Sequence, residues 1–508
     1  MKKLAVTTVI IAGMAFSHAD AFAQYRTGSA PEDAPKSESE LILEEAASSE
    51  APVIITLEQA LQIALSENVS VKVADMEIQR AQYAKKGSYS ALFPQIDATG
   101  AYQRTIKKQV MYMDFDMSSI MGGAGGEGTE LPDGVELPDG VEIPESGEGA
   151  APGGSDNGGG LEVGRWNTWS AGVSAAMPLV NAQLWKSLKI SGLDVELAVE
   201  KARSSRLDMV TQVKNAYFAT LLAKEAFEVY KQVYENAVQN LEETEKKYRA
   251  QKVSDMELLR AKTTVANAIP NVYNAEGSVI LSLWQLKAIL GVDLDMNLDV
   301  AGKLEDWSEH MFYDIHQHDS ISLDRNTTMK QLAIQAEMLA ETIKVQQFAN
   351  IPSLAVAFNF SYNAMTNDFK FSEYRWTPYS YVGLSLNIPI FAGGKRYHAI
   401  RQAKNQYQQV QLQTVNTERQ LKIAIRQSLN AMETNMKSYY ASKDALAAAQ
   451  KGYDIVARSY QVGRSTLIEV NDAQLALTQA QLGASQAVYN FLTAKAQLEQ
   501  TLGQDFVE

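Results

Sequence analysis

Residues 460–473 read Y-Q-V-G-R-S-T-L-I-E-V-N-D-A and lie between two long helical patterns. Gly463 supplies the left-handed residue that ends one helix, and Thr466 with Glu469 three places on forms a capping box that opens the next. The chain therefore reverses at this point. Residues 248–261, Y-R-A-Q-K-V-S-D-M-E-L-L-R-A, repeat the design 212 positions earlier, with Ser254 and Glu257 at the capping positions. Gln251 stands there where the glycine is expected, so that tip must bear a left-handed non-glycine residue. Two tips of one design imply an internal duplication.

The flanking sequence bears this out. Asn68 and Asn326, and Pro94 and Pro352, are each 258 residues apart; Gly172 and Gly383, and Pro178 and Pro389, are 211 apart; Leu290 and Leu502 are 212 apart. The spacing falls between the first pairs and the second, so the first copy carries an insertion of about 47 residues inside its strand pair. That insertion is the acidic, glycine-rich stretch 118–160, with L-P-D-G-V-E twice in tandem at 131–142. No Lys or Arg occurs from Gln109 to Gly164, and much of the chain's net charge of −14 sits there. Such a composition builds no core and reads as a solvated insertion, with weak calcium binding or surface recognition as the alternatives.

Each copy follows one programme. Thr56 and Gln59 cap a helix expected over 57–92, which Pro94 terminates. From Ile96 the period changes to two: Ile96, Ala98, Gly100, Tyr102 and Ile106 alternate with polar residues, giving a strand over about 95–109. A second strand, about 166–177, places Ala171, Val173, Ala175 and Met177 on one face. In the second copy the strands fall at about 353–368, with Leu354, Val356, Phe358, Phe360 and Tyr362 on one face, and 376–388, with Val382, Leu384, Leu386 and Ile388. After each pair a helix of some 70 residues runs to its tip, about 110 Å in the first copy, and a return helix about half as long follows. Along 195–241 apolar residues alternate steps of four and three, the spacing of a coiled-coil seam, broken by Arg206 and Thr220. A short helix on each side of a strand pair, together as long as the helix between strand pair and tip, suggests a rod with a reversal at one end and a β-hairpin at the other.

The boundaries that follow are 1–23, a secretory signal peptide with Lys2, Lys3, an apolar run and Ala21-Phe22-Ala23; 24–55, a flexible leader rich in Ser, Ala, Glu and Pro; 56–294, the first repeat; 295–325, an irregular inter-repeat segment; and 326–508, the second repeat. The chain contains no cysteine, which excludes disulfides, thiol chemistry and cysteine metal sites. No later stretch has the roughly 18–20 apolar residues of a spanning helix, so a membrane would be crossed by strands. Aromatic girdles are available from Trp166, Trp169, Tyr374, Trp376, Tyr379 and Tyr381. The acidic balance argues against nucleic acid. His310, His316 and His318 near Asp314 and Asp319 match no metal motif, and no cofactor site, nucleophile with a base, or phosphate loop is present. Four strands cannot close around a channel, and open edges are not tolerated in lipid, so identical chains must complete the wall.

At this point the sequence resembles the TolC-like outer-membrane channels of tripartite efflux and type I secretion systems. The likeness covers about 56–503 and rests on 460–473, on T-L-E-Q-A-L at 56–61, on N-I-P-I-F-A-G-G at 387–394 and on Leu502-Gly503. It implies a mainly α fold with a β-barrel part: a homotrimer with a twelve-stranded barrel in the outer membrane, an α-helical barrel through the periplasm and an equatorial collar. It further implies a passive exit duct without catalysis, partnered by a periplasmic adaptor protein and an inner-membrane pump and surrounded by membrane lipids. By position, Glu469 and Asp472 match the acidic ring at the entrance; Tyr460, Gly463, Arg464, Glu257 and Gln251 match the tip constriction and adaptor-docking residues. Arg464 lies one place before the family's tip arginine, whose position Ser465 occupies. Glu469 and Glu257 are also expected as capping residues without any gate, whereas Asp472 has no capping role and lies one turn beyond Glu469 on the same face. The rival reading is a structural or adhesive surface coiled-coil protein.

Overall fold

The computed structural model describes residues 42, 52–111, 161–311 and 322–504; the acidic stretch 118–160 and His316, His318, Asp314 and Asp319 lie outside them. In chain order the elements are β1 (Val53–Ile55), α1 (Leu57–Glu67), α2 (Val69–Ser90), β2 (Gln95–Arg104), β3 (Gln109–Met111), β4 (Leu161–Val163) and β5 (Asn167–Val180). Then come α3 (Ala182–Arg249), α4 (Asp255–Leu290), β6 (Leu298–Val300), a 3₁₀ segment (Leu304–His310), α5 (Thr327–Phe348) and β7 (Ser353–Thr366). A short 3₁₀ turn (Phe371–Glu373), β8 (Thr377–Asn387), α6 (Lys395–Gln461) and α7 (Leu467–Leu502) complete the chain. Among the described residues no helix is long and apolar enough to cross a membrane.

The chain divides into two compact units. The first gathers the chain up to Glu77 with Val199–Gln331 and Val415–Glu508. Its core is built where β1 pairs in parallel with β6 and Leu61, Ile63, Tyr217, Leu221, Leu290 and Phe491 lose their contact with water. Tyr217 anchors that point, donating its hydroxyl to the carbonyl of Ala301 at 2.7 Å, and burial pushes its pKa up to about 12. Of the two residues that interrupt the coiled-coil spacing, Arg206 pairs with Asp75 at 2.5 Å and Thr220 satisfies its buried hydroxyl on the carbonyl of Ala216.

The helix expected over 57–92 is two helices. Asn68 breaks it with extended backbone (φ −63°, ψ 130°), because this residue caps both ways: its N–H donates to Ala64, while its Oδ1 accepts from Ser70 at 2.7 Å. Its Nδ2 then reaches the carbonyl of Ile289 at 2.7 Å, at the end of α4. Asn326 does the same in the second copy, accepting from the N–H of Met329 and donating to the carbonyl of Thr501 at 2.6 Å. Beside each asparagine a left-handed glycine ends the return helix, Gly291 (φ 79°) and Gly503 (φ 69°). A Cβ on Gly291 would meet the Cα of Asn68 at 3.0 Å, and one on Gly503 would overlap the carbonyl of Arg325. The duplication is therefore preserved as a pair of asparagine–glycine clasps.

The second unit comprises Ile78–Ala198 and Leu332–Thr414. Its sheet runs β2-β5-β7-β8, antiparallel throughout. The register sets Ile96 opposite Ala175, Ala175 opposite Phe358 and Phe358 opposite Val382, so the apolar sets of all four strands share one face. The reverse face carries Gln95, Thr99, Ser174, Asn359, Ser361 and Ser385 by the same parity. Tyr379 and Tyr381 pair with Ser361 and Asn359, hence lie on the polar face and cannot belong to an apolar-side girdle. The aromatic cluster on the apolar side keeps Trp169 and Tyr374 of the expected residues and adds Tyr102, Phe369 and Phe371. β2 and β8 are the sheet's outer strands, each with one edge that pairs with no other strand among the described residues. Among the helical residues of this unit, Glu341 is almost fully buried and receives Lys189 at 3.0 Å and Lys344 at 2.9 Å, with Lys186 at 3.3 Å.

Candidate functional site at the helical tips

Both reversals belong to the first unit and are built alike. At the first, the N–H of Gln251 donates to the carbonyl of Tyr248 and that of Lys252 to Lys247; at the second, Gly463 donates to Tyr460 and Arg464 to Ser459. These are two Schellman closures, 212 residues apart, each needing a left-handed residue. Gly463 (φ 78°) adopts that conformation freely, whereas Gln251 (φ 57°) does so against its Cβ and is the only non-glycine residue with positive φ among the described residues. The next helix starts at once. Thr466 and Glu469 form both arms of a capping box, at 3.4 and 2.8 Å. Ser254 caps only one way, accepting from the N–H of Glu257 at 3.4 Å, so the reciprocal bond expected from the Glu257 side chain is replaced.

Glu257 instead turns toward Tyr460. This tyrosine is buried among Ala261, Leu467 and Val470, and its hydroxyl lies 2.6 Å from the hydroxyl of Thr244 on α3. Burial first, then the negative charges of Glu257 and Glu243, raise its pKa above the usual phenol value. Lys247 closes the cluster. Its ammonium donates to the backbone carbonyl of Tyr460 and stands 3.5 Å from the centre of the Tyr460 ring. Burial pulls its pKa down, opposed by Glu257 and Glu243. The last turn of α3 is thereby tied to the last turn of α6 by a cation, a ring and two hydroxyls. Further along, Asn236 reaches Gln474 at 2.9 Å and Asn471 reaches Thr264 at 3.3 Å, joining α7 to α3 and α4.

Of the residues singled out in the sequence, the fold brings Tyr460 and Glu257 together. Gln251 and Gly463 shape the two turns, while Arg464, Glu469 and Asp472 remain exposed. Lys247 and Thr244 were not visible in advance. Lys247 sits in a lysine pair at a helix C-terminus, where the helix dipole alone accounts for a cation.

The comparisons with known proteins agree with this architecture. The family described as "Outer membrane efflux protein" matches residues 146–292 and 320–504. Outer membrane protein TolC of Vibrio cholerae is 22% identical over 349 residues, 66% of this chain and 76% of that protein. Outer membrane efflux protein BepC of Brucella suis is 31% identical over 122 residues, which are 24% of this chain and 27% of that one. The Campylobacter jejuni CmeC outer membrane channel superposes with a TM-score of 0.64 at 16% identity, over 94% of both chains. With the family matched over more than half its length, the chain belongs to the outer membrane efflux protein family, and is an outer-membrane protein of TolC-like fold with a periplasmic extension and a channel role.

Proposed function

We propose that the protein is the outer-membrane exit duct of a tripartite efflux or type I secretion system: a passive, water-filled conduit that opens at its periplasmic helical tips. One observation carries the reading. A four-stranded sheet with one predominantly apolar face and, among the described residues, two unpaired edges cannot be left alone in a bilayer, and three copies joined β8 to β2 make a closed barrel of three times four strands. The lumen is then the face of Gln95, Thr99, Ser174 and Asn359, which suits water and hydrophilic cargo. A surface coiled-coil role would leave that apolar face without a purpose.

In this reading the tips of α3–α4 and α6–α7 close the duct. Tyr460 and Glu257 hold it shut, and the turns at Gln251 and at Gly463 and Arg464 meet the periplasmic adaptor, through which an inner-membrane pump delivers cargo. Three copies of Glu469 and Asp472 form an acidic ring that favours cations and retards anions. Glu469 also holds its helix cap, so Asp472 is the cleaner probe. Asp472→Lys in reconstituted channels is expected to lower cation preference and alter conductance; unchanged selectivity removes Asp472 from the entrance. The ring itself is tested with cysteines placed at Ala98 and Leu384, in a chain with no others. Crosslinked trimers are expected, and crosslinking only within single chains would refute the barrel.

A further inference from the structure

The sheet's far end, away from the helices, carries a feature that conduction does not need. The strands leave it at Arg104, Asn167, Thr366 and Thr377. Here the segments 102–108, 164–166 and 367–376 hold Arg104, Lys107, Lys108, Arg165, Lys370 and Arg375 against two acids, Asp368 and Glu373. All but Lys108 of these cations are exposed. Two of them, Arg104 and Lys108, are seated over aromatic rings at this end of the sheet. Tyr102 and Trp169 have ring centres 4.3 Å apart and Trp169 and Phe371 4.9 Å, while the Arg104 guanidinium lies 6.0 Å from the ring of Phe369 and the Lys108 ammonium 5.1 Å from that of Trp166. Arg104 pairs with Asn167, two residues from Trp169, so it continues the apolar face one row beyond the aromatic band.

The arrangement is fixed before any ligand arrives. The Asp368 carbonyl accepts from Tyr374, Thr366 and Asn167 at 2.8, 3.0 and 3.2 Å, and Asn167 in turn accepts from Tyr102 at 2.9 Å. Arg165 donates to the carbonyl of Met365 at 3.2 Å. Aromatic side chains of this kind settle at the boundary between acyl chains and headgroups. A cation held just above them on the same face, as Arg104 is by the register, is at the height of headgroup phosphates, which arginine matches in geometry as well as charge, and Lys108 and Arg375 lie in the segments beside it.

We propose that this rim is a docking site for a phosphorylated glycolipid of the outer leaflet, its acyl chains lying against the apolar sheet face and its phosphates held by Arg104, Lys108 and Arg375. The inference rests on the outer-membrane location and is independent of how the tips open. The full-length protein is incorporated into nanodiscs containing either a bis-phosphorylated lipid A-type glycolipid or its dephosphorylated form, and retained lipid is counted by native mass spectrometry. Wild-type protein is expected to retain at least about fivefold more of the phosphorylated form. Arg104→Gln/Lys108→Gln/Arg375→Gln should abolish the preference, and the charge-conserving Arg104→Lys/Arg375→Lys should keep most of it. Thermal melting and crosslinking of the same samples report folding and assembly, so loss of the duct and loss of the lipid site are told apart. Equal retention of the two lipids by the wild type overturns the proposal, as does full displacement of the lipid by inorganic phosphate. So does a preference that arises only after residues 118–160 are deleted, which would assign these cations to the chain's own acidic stretch.

Discussion

Replacing Lys247 by methionine tests the tip cluster most directly, because the change keeps the length of the side chain and removes its charge. Two contacts disappear: a charge-assisted hydrogen bond to the carbonyl of Tyr460, of a class that contributes roughly 1.5–3 kcal/mol, and a cation–ring contact contributing roughly 0.5–2 kcal/mol. Part of this is offset, since burial disfavours the ammonium, as its lowered pKa records. A net loss of about 2 kcal/mol per chain shifts a local opening equilibrium by about 30-fold. In planar bilayers, purified Lys247→Met protein is therefore expected to spend far more time at high conductance than the wild type. The control is its neighbour. Lys246 makes only an exposed pair with Glu243 at 2.8 Å, a kind of contact that contributes little, so Lys246→Met should leave conductance unchanged. If the two variants behave alike, the cluster does not hold the tips.

Gln251→Gly should stabilise the protein by up to about 1 kcal/mol by relieving the left-handed backbone, and Gly463→Ala should destabilise it by a similar amount; denaturant titration reads both. Asn68→Ala and Asn326→Ala each orphan a carbonyl and remove a helix cap, so each is expected to cost about 1–3 kcal/mol. The double variant should show the sum, since the two clasps share no partner. Glu341 gives an acid-sensitive contribution. The hydrogen bond from Lys344, outweighing burial and helped by Lys189 and Lys186, lowers its pKa to about 2. A depressed carboxylate stabilises the fold above its unfolded pKa of about 4.3, and that part is lost as pH falls toward 2. Glu341→Gln should thus lower the melting temperature at neutral pH, with the difference from wild type narrowing across that window.

What could be read in the sequence was local. A glycine before Thr466-x-x-Glu469 dictates a reversal wherever it occurs, and the alternation after Pro94 dictates a half-apolar strand whatever its neighbours are. The common face of the four strands followed, because a register with any strand slipped by one residue would put its apolar set on the polar side. What was missed depends on partners remote in sequence. The break at Asn68 has no glycine or proline to announce it, and its purpose appears only when Ile289 arrives from 221 residues away. Two of the six expected girdle residues fall on the wrong face for a simpler reason: Tyr379 and Tyr381 are odd-numbered in a strand whose apolar residues are even, a parity the sequence already contains. Lys247 was invisible because Tyr460, whose carbonyl and ring it contacts, comes from the other copy.

The two unpaired outer strands have a consequence for biogenesis. Within the proposed ring, no single molecule finishes its own fold, so maturation becomes a reaction among several newly made chains and quickens with their abundance. A defective copy does damage beyond its share. If half the chains had an unusable β8 edge and mixed at random, only about one ring in eight would contain none of them. Such a variant should act as a dominant poison of assembly even beside an intact gene.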